Sequence, residues 1–536
     1  MIPARAMTLL LALTLACGCS GGDNDGPAGC CDASCYPASP STAETLYVNH
    51  GCDSQDPDGS LEMPFHSVVD ALKAAGDGDA ILVAEGEYAE AAPIVIKKNV
   101  SLLGMGSFDP DSGAYTDRSF LVVTDVATLS VHGTEGVVVS GMTIDGSAVA
   151  GVDVHGAVDL VLSDNHIASS QVDPGGVFGH GIVVSGSSGV TIEENLVEDC
   201  AQIGILVDKS DVALRRNRLT GNRQGIRIDD SPVVPAGKDP MTVSPIEITG
   251  NAVVSNFTAG INVVGSVVVI ADNTVEDTQP YHGDPDLVAD GIVVWQAAEA
   301  GAPQTRVWLG GTSKADAAGN HVSGSHRCGV LISDGAEVEL MAGNQVTDNL
   351  FGGVWIQNGS KVKAMVANTI GRNALAGIGL TTGSEAVVGS SSAEDFNLIF
   401  ETAAVETIIG GESRLVGDGV GIFQGSRATV QHNKILDNHR GGIVLDDPDH
   451  AAIYIGSNRV DGGEYGIVIQ AEEDMQIPPG QISANYSNTM GAESCAPPAC
   501  ISPEPADQLV NYGDLPRMTV MDDPVMMPCI PPACTD

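Results

Sequence analysis

The residues of this chain whose types and spacing could do chemistry are Asp208, Arg227, Asp229 and Asp230. Asp208 and Asp229 each stand four positions after a glycine that opens a Gly-Ile pair, Gly204-Ile205 and Gly225-Ile226, so they hold equivalent places in consecutive sequence units. Two carboxylates brought one strand apart either bind calcium or divide acid and base roles, because like charges so close push one pKa upward. With Arg227 beside them, the alternative is an ordinary solvated edge holding a local Arg-Asp pair. His180, in Gly179-His180-Gly181-Ile182, precedes the same frame and is either a site organiser or a loop contact. Trp295 and Trp355 fall at outward positions of later units, where an exposed ring would stack on a sugar and a covered one would only pack.

These residues must be positioned by a repeat. Gly-Ile-x-[Val/Leu/Ile] occurs at Gly181, Gly204 and Gly225, and the frame returns at Gly291, Gly329, Gly353, Gly377, Gly442 and Gly466. Asn195, Asn217, Asn251, Asn273, Asn344, Asn368, Asn433 and Asn458 recur between the glycines. A period of about twenty residues marks a stacked solenoid. Each unit holds short runs of alternating apolar and polar residues broken by Gly, Asn, Asp and Ser, which predicts strands joined by tight turns. Strands that turn the same way and stack on the next copy give a parallel β-coil with a rise of about 4.8 Å per turn. The asparagines suit left-handed turn positions, and their amides can bond along the stack. Alternation sends the residues two and four after each glycine outward.

The stretch GIVVSGSSGVTIEENLVEDC and its copies resemble the right-handed parallel β-helix repeats of the pectate-lyase-like superfamily, over roughly residues 46 to 490. The resemblance implies an all-β solenoid. It leaves activity open, because one fold hosts many chemistries. Gly179-His180-Gly181-Ile182 and Arg227-Ile228-Asp229 resemble two motifs of polygalacturonase-type glycoside hydrolases, which would make His180 an organiser and Arg227 a contact to a sugar carboxylate. Asp229 stands where that family has lysine, and the coil before His180 lacks the paired aspartates that an inverting hydrolase needs. A lyase would need calcium and a base, with Lys209 or Arg227 serving.

The chain opens on an apolar run from Met7 to Ala16 after Arg5, expected as a secretory signal over residues 1 to 19. Leu15-Ala16-Cys17 resembles a bacterial lipobox, which implies lipid on Cys17, or on Cys19 in a second register, and an outer-membrane lipid as partner; the alternative is plain secretion. Residues 20 to 45 read as a Cys, Gly and Asp-rich tether whose cysteines, Cys30, Cys31 and Cys35, are expected in disulfides. Cys200 and Cys328 are expected as small core residues. Phe65, Val68, Val69 and Leu72 predict a short helix, part of an N-terminal cap resembling that of other exported β-helix proteins. The acidic loop with Asp53, Asp56 and Asp58 is a weak calcium candidate or a solvated turn. Excursions from the coil are expected near 172–178, 230–245, 279–290, 296–320 and 381–418. Residues 491 to 536 read as a tail with Cys495-Cys500 and Cys529-Cys534 loops.

With 24 basic against 69 acidic residues the net charge is −45, which opposes nucleic acid and, without bridging calcium, an anionic polysaccharide. The expected function is an exported, envelope-surface β-helix lipoprotein that recognises extracellular polysaccharide. The alternatives are a polysaccharide lyase or glycoside hydrolase, and a non-catalytic structural or adhesive surface protein.

Overall fold

In the computed structural model the described residues are 33–511, apart from 40–43, 53–54, 91–92, 111, 123–127, 146–148, 169, 171–177, 234–241, 282–288, 298–302, 410–411, 464, 471–480, 484 and 486–508. Cys17, Cys19, Cys30, Cys31, Asp53 and the paired cysteines of the tail lie outside them. The chain winds as a parallel β-coil whose strands form three long sheets of 16, 14 and 16 strands. Each full turn supplies one strand to each sheet in order. Val138–Ser140, Met142–Asp145 and Ala150–His155 make one such turn, and Val161–Ser163, His166–Ala168 and His180–Ser185 stack on it in parallel.

The core fills the coil from end to end with one aliphatic cluster. Ile182, Ile205, Ile226 and Ile261, the residues after the frame glycines, are fully buried, as the alternation requires. The glycines answer a packing demand at the bend into the third sheet. A Cβ on Gly353 would lie 2.5 Å from the carbonyl oxygen of Gly377 and 2.6 Å from Nδ2 of Asn373.

Buried amides line that interior. Asn165, Asn195, Asn217, Asn251 and Asn273 form a ladder continuing to Asn485, each Oδ1 accepting the Nδ2–H and the backbone N–H of the asparagine one turn earlier, at 3.0 Å for Asn195 to Asn217. Every buried donor at this corner is satisfied, which the low dielectric of the interior demands. The expectation that the asparagines themselves take left-handed geometry is corrected. The residue before each one does so: Asp164, Glu194, Arg216 and Asp272 have φ of 53°, 56°, 51° and 58°. The asparagine side chain is needed inside, so its neighbour makes the turn. A second corner carries two shorter runs, Asn222 to Asn256 and Asn349 to Asn373, and serines at Ser187, Ser210, Ser231 and Ser266 form a ladder at the third.

The cap holds the only α-helix among the described residues, Val68–Ala74. It starts later than expected: Ser67 is its N-cap, and Phe65 instead bridges to Val48. Glu90 fixes its first turn, accepting from the backbone N–H of Val68 at 2.7 Å and from the Ser67 hydroxyl at 2.9 Å. Lys98 fixes its last turn, donating to the carbonyl of Lys73 at 3.1 Å. Strand Thr45–Val48 pairs with Asp79–Val83, so the cap continues the first sheet over the open end. No helix among the described residues is long and apolar enough to cross a membrane.

The structure departs from the expected outline at four points. The stretch 381–418 is mostly regular coil: Glu385–Gly389 and Leu398–Phe400 join the first and second sheets, and only the antiparallel pairing of 405–409 with 412–416 leaves it. Arg306–Leu309 likewise belongs to the first sheet. These strands lack a Gly-apolar frame, which hid them. Strand Leu509–Asn511, within the segment read as a tail, pairs with Tyr465–Gln470 of the third sheet. Cys35 carries a free thiol, against the expected disulfide, while Cys52 is disulfide-bonded.

Candidate functional site

The outer face of the third sheet gathers the sequence candidates. Strand pairing places His132, His155, Ser185, Asp208, Asp229, Val264 and Trp295 in one row along the coil axis, one residue per turn. The neighbouring outward row is Ser130, Asp153, Val183, Leu206, Arg227, Asn262 and Val293. Asp208 and Asp229 are therefore direct cross-strand partners.

Their charges are already answered. Arg227 Nε donates to both oxygens of Asp229, at 3.0 and 2.8 Å. Lys209 Nζ lies 3.5 Å from Asp208 and 3.9 Å from Asp230. Burial pushes the Asp229 carboxyl up, and the charges of Asp208 and Asp230 add to it against the pull of Arg227. Among the described residues no group of three or more His, Cys, Asp or Glu is arranged to hold a metal ion. Asp58 of the cap loop accepts from the Ser60 backbone N–H at 2.9 Å in a local turn, and hydrogen bonds from Ser60 lower its pKa.

His180 stands at the edge of the face, half-buried, its Nδ1 accepting from the Ile203 backbone N–H at 3.4 Å. Burial, and then the charge of Arg227, push its pKa down to about 4, so the ring is neutral at pH 7. Trp295 is half-buried, and its indole N–H donates to Asn262 Oδ1 of the preceding turn at 2.9 Å. Trp355 corrects the expectation of a second exposed ring. It points outward as the register requires but is 4% exposed, edge-on to Phe351 with centroids 5.1 Å apart and stacked on Phe423. With Val293, Leu331, Val444 and Val468 it forms a second apolar cluster, outside the coil. The outward face is thus open from His132 to Asp229, where Val183 and Leu206 are interspersed among its polar groups, and covered from Asn262 and Val264 onward apart from the half-buried Trp295.

Sequence reasoning missed the two histidines that begin the open row. His132 Nε2 lies 3.6 Å from Asp153, His132 and His155 meet edge to face with centroids 6.2 Å apart, and His155 Nδ1 is 2.9 Å from Ser185 Oγ. A repeated Val-His-Gly, at 131–133 and 154–156, was the available signal. Also missed were two ion pairs beside the sealed part of the face. Asp290 is fully buried and bound to Arg327, Nε to Oδ1 at 2.8 Å; Asp418, 1% exposed, binds Arg440 in the same geometry at 2.8 Å. The pattern Asp-Gly in one turn and His-Arg-x-Gly in the next marks both. A third cluster lies on the second sheet, where Asp117 and Glu198 bracket His166 at 2.6 and 3.1 Å. Asp449, in a loop of the later turns, pairs with Arg427 at 2.9 Å.

A family model for the right handed beta helix region matches residues 123–279 and 305–489, more than half of the chain. No curated protein sequence matches. Among solved structures, the A-module of a mannuronan C-5 epimerase of Azotobacter vinelandii is 14% identical over 78% of this chain and 93% of its own, with a TM-score of 0.37. The Dettilon tailspike protein is 12% identical over 66% and 67%, TM-score 0.39. The catalytic unit of a GH87 α-1,3-glucanase from Streptomyces thermodiastaticus is 12% identical over 84% and 70%, TM-score 0.33.

Proposed function

The chain belongs to the right-handed β-helix family, and from that premise we propose that it is an exported envelope-surface lipoprotein that recognises extracellular polysaccharide along the outer face of its third sheet. The observation that carries the reading is the open polar row His132, His155, Ser185, Asp208 and Asp229, one side chain per turn, leading to the half-buried indole of Trp295. A repeating polymer is the ligand that a repeating row of hydrogen-bonding groups suits, since each turn offers one more set of donors and acceptors at a rise of about 4.8 Å. Aromatic rings and precisely placed polar groups are what fix the orientation of a bound small unit. Lipid on Cys17 or Cys19 would hold this face at the outer membrane or cell surface.

Turnover is the second reading, favoured by the raised carboxyl of Asp229 opposite Asp208. His180 would organise such a site and Arg227 and Asp230 would complete it. Calcium at Asp208 and Asp229 belongs to this reading, and it would have to displace Arg227 and Lys209 from them. The deciding experiment titrates the intact protein with a polysaccharide panel, following tryptophan fluorescence and product release in the same samples. Saturable quenching that is lost in Trp295→Phe and kept in Trp308→Phe supports recognition at this face. Release of unsaturated or newly reducing ends supports the enzyme reading, and neither signal with any glycan leaves the structural or adhesive protein.

A further inference from the structure

Resting on that reading of the face, we infer that its glycan is neutral, a polymer of hexose or N-acetylhexosamine units, and that uronic-acid polymers are rejected. A uronate ligand brings one carboxylate per sugar, and binding it requires cations that are free to receive them. The outward rows have none to offer. Arg227 is held by both oxygens of Asp229, and Lys209 is shared between Asp208 and Asp230. His132 faces Asp153 at 3.6 Å. His155 has its Nδ1 tied to Ser185 Oγ at 2.9 Å, and His180 is kept neutral by its burial and by Arg227. Arg223, just before the strand that carries Arg227, is committed elsewhere: its Nη1 donates to Gln202 Oε1 at 2.9 Å and its guanidinium lies 5.2 Å from the centroid of the Tyr281 ring.

Against these stand Asp153, Asp208, Asp229 and Asp230, so the open face is net negative and sits on a chain of net charge −45. An approaching polyuronate meets long-range repulsion and, at contact, must break an existing ion pair for each carboxylate it seats. A neutral sugar meets neither. Its hydroxyls find acceptors in Asp153 and Asp208, donor and acceptor groups in His155 and Ser185, and an apolar ring at Trp295 whose N–H is already tied to Asn262. The carboxylates that repel an acidic polymer are the same groups that accept from a neutral one.

The test compares the intact protein's binding to soluble β-glucan, mannan and chitooligosaccharides with its binding to alginate and polygalacturonate, by calorimetry in one buffer at fixed salt. At least tenfold tighter binding to a neutral polymer is expected. The double variant Asp208→Asn, Asp229→Asn releases Arg227 and leaves Lys209 with Asp230 alone, and its affinity for polyuronate should rise at least tenfold, with circular dichroism confirming the coil. Tighter wild-type binding to the polyuronates overturns the inference and leaves glycan recognition standing. A double variant that folds and gains no polyuronate affinity overturns the argument from committed cations. Failure of every polymer to bind overturns both the inference and the reading beneath it.

Discussion

The indole of Trp355 occupies the space in which a side chain at residue 379 would stand. The two residues are cross-strand partners on consecutive turns, and a Cβ on Gly379 would overlap Cε3 and Cζ3 of the ring. Glycine is therefore required there by packing, and the tryptophan is a seal over the coil. Gly379→Ala should destabilise by about 1–3 kcal/mol through overpacking. Trp355→Ala should cost about 3–5 kcal/mol. Thermal melts check both, and a glycan affinity equal to wild type in Trp355→Ala at a temperature where it stays folded would confirm that this ring is no sugar platform.

The His166 bracket predicts a pH dependence. Burial alone would lower the imidazole pKa, but hydrogen bonds to Asp117 and Glu198 outweigh it and push the value up to about 9. Because the folded value lies above the ordinary 6.5, this contribution is fully present below pH 6.5 and is lost as pH rises through about 9. Both carboxylates lie below their ordinary values of 3.8 and 4.5, Asp117 through His166 overcoming its burial and Glu198 through His166 first, so their part is lost as pH falls below that range. His166→Gln should cost about 1–3 kcal/mol at pH 6. Chemical denaturation at pH 6 and pH 10 should show the wild-type advantage over this variant shrinking at the higher pH.

Interrupting the asparagine ladder should be costly at its middle. Asn344 Oδ1 accepts from the backbone N–H and Nδ2–H of Asn320, while its own Nδ2 donates to Asn368 Oδ1 at 2.9 Å. Asn344→Ala orphans buried groups above and below, at about 1–3 kcal/mol for each. Hydrogen exchange should accelerate first in the turns flanking residue 344, since a solenoid is held by nearest-neighbour contacts.

Asp290 and Arg327 form a buried pair whose halves are unequal to lose. Asp290→Ala leaves the guanidinium without its partner and should destabilise by about 3–5 kcal/mol. Replacing both, with Asp290→Leu and Arg327→Met, should recover most of that loss, because no buried charge is left unanswered. Urea titration of the two variants decides the matter: equal midpoints would mean the pair contributes only packing.

Much of this protein is determined by its sequence alone. The alternation of apolar residues and the spacing of the frame glycines are local properties that repeat by translation, so they specify strand, turn order and stacking together. That is why the sequence alone pairs Asp208 with Asp229 across two turns. What lay beyond reach is what the translation does not carry. Arg227 and Trp355 share one outward row, yet the first borders the open polar face and the second is sealed by Phe351 and Phe423, because burial depends on which neighbours reach over each turn. The left-handed residue before each ladder asparagine, the bracket joining residues 117, 166 and 198, and the Asp290–Arg327 pair likewise depend on contacts between separate turns. The tertiary structure decided them because burying a polar group demands a partner in space, and that partner need not be near in the chain.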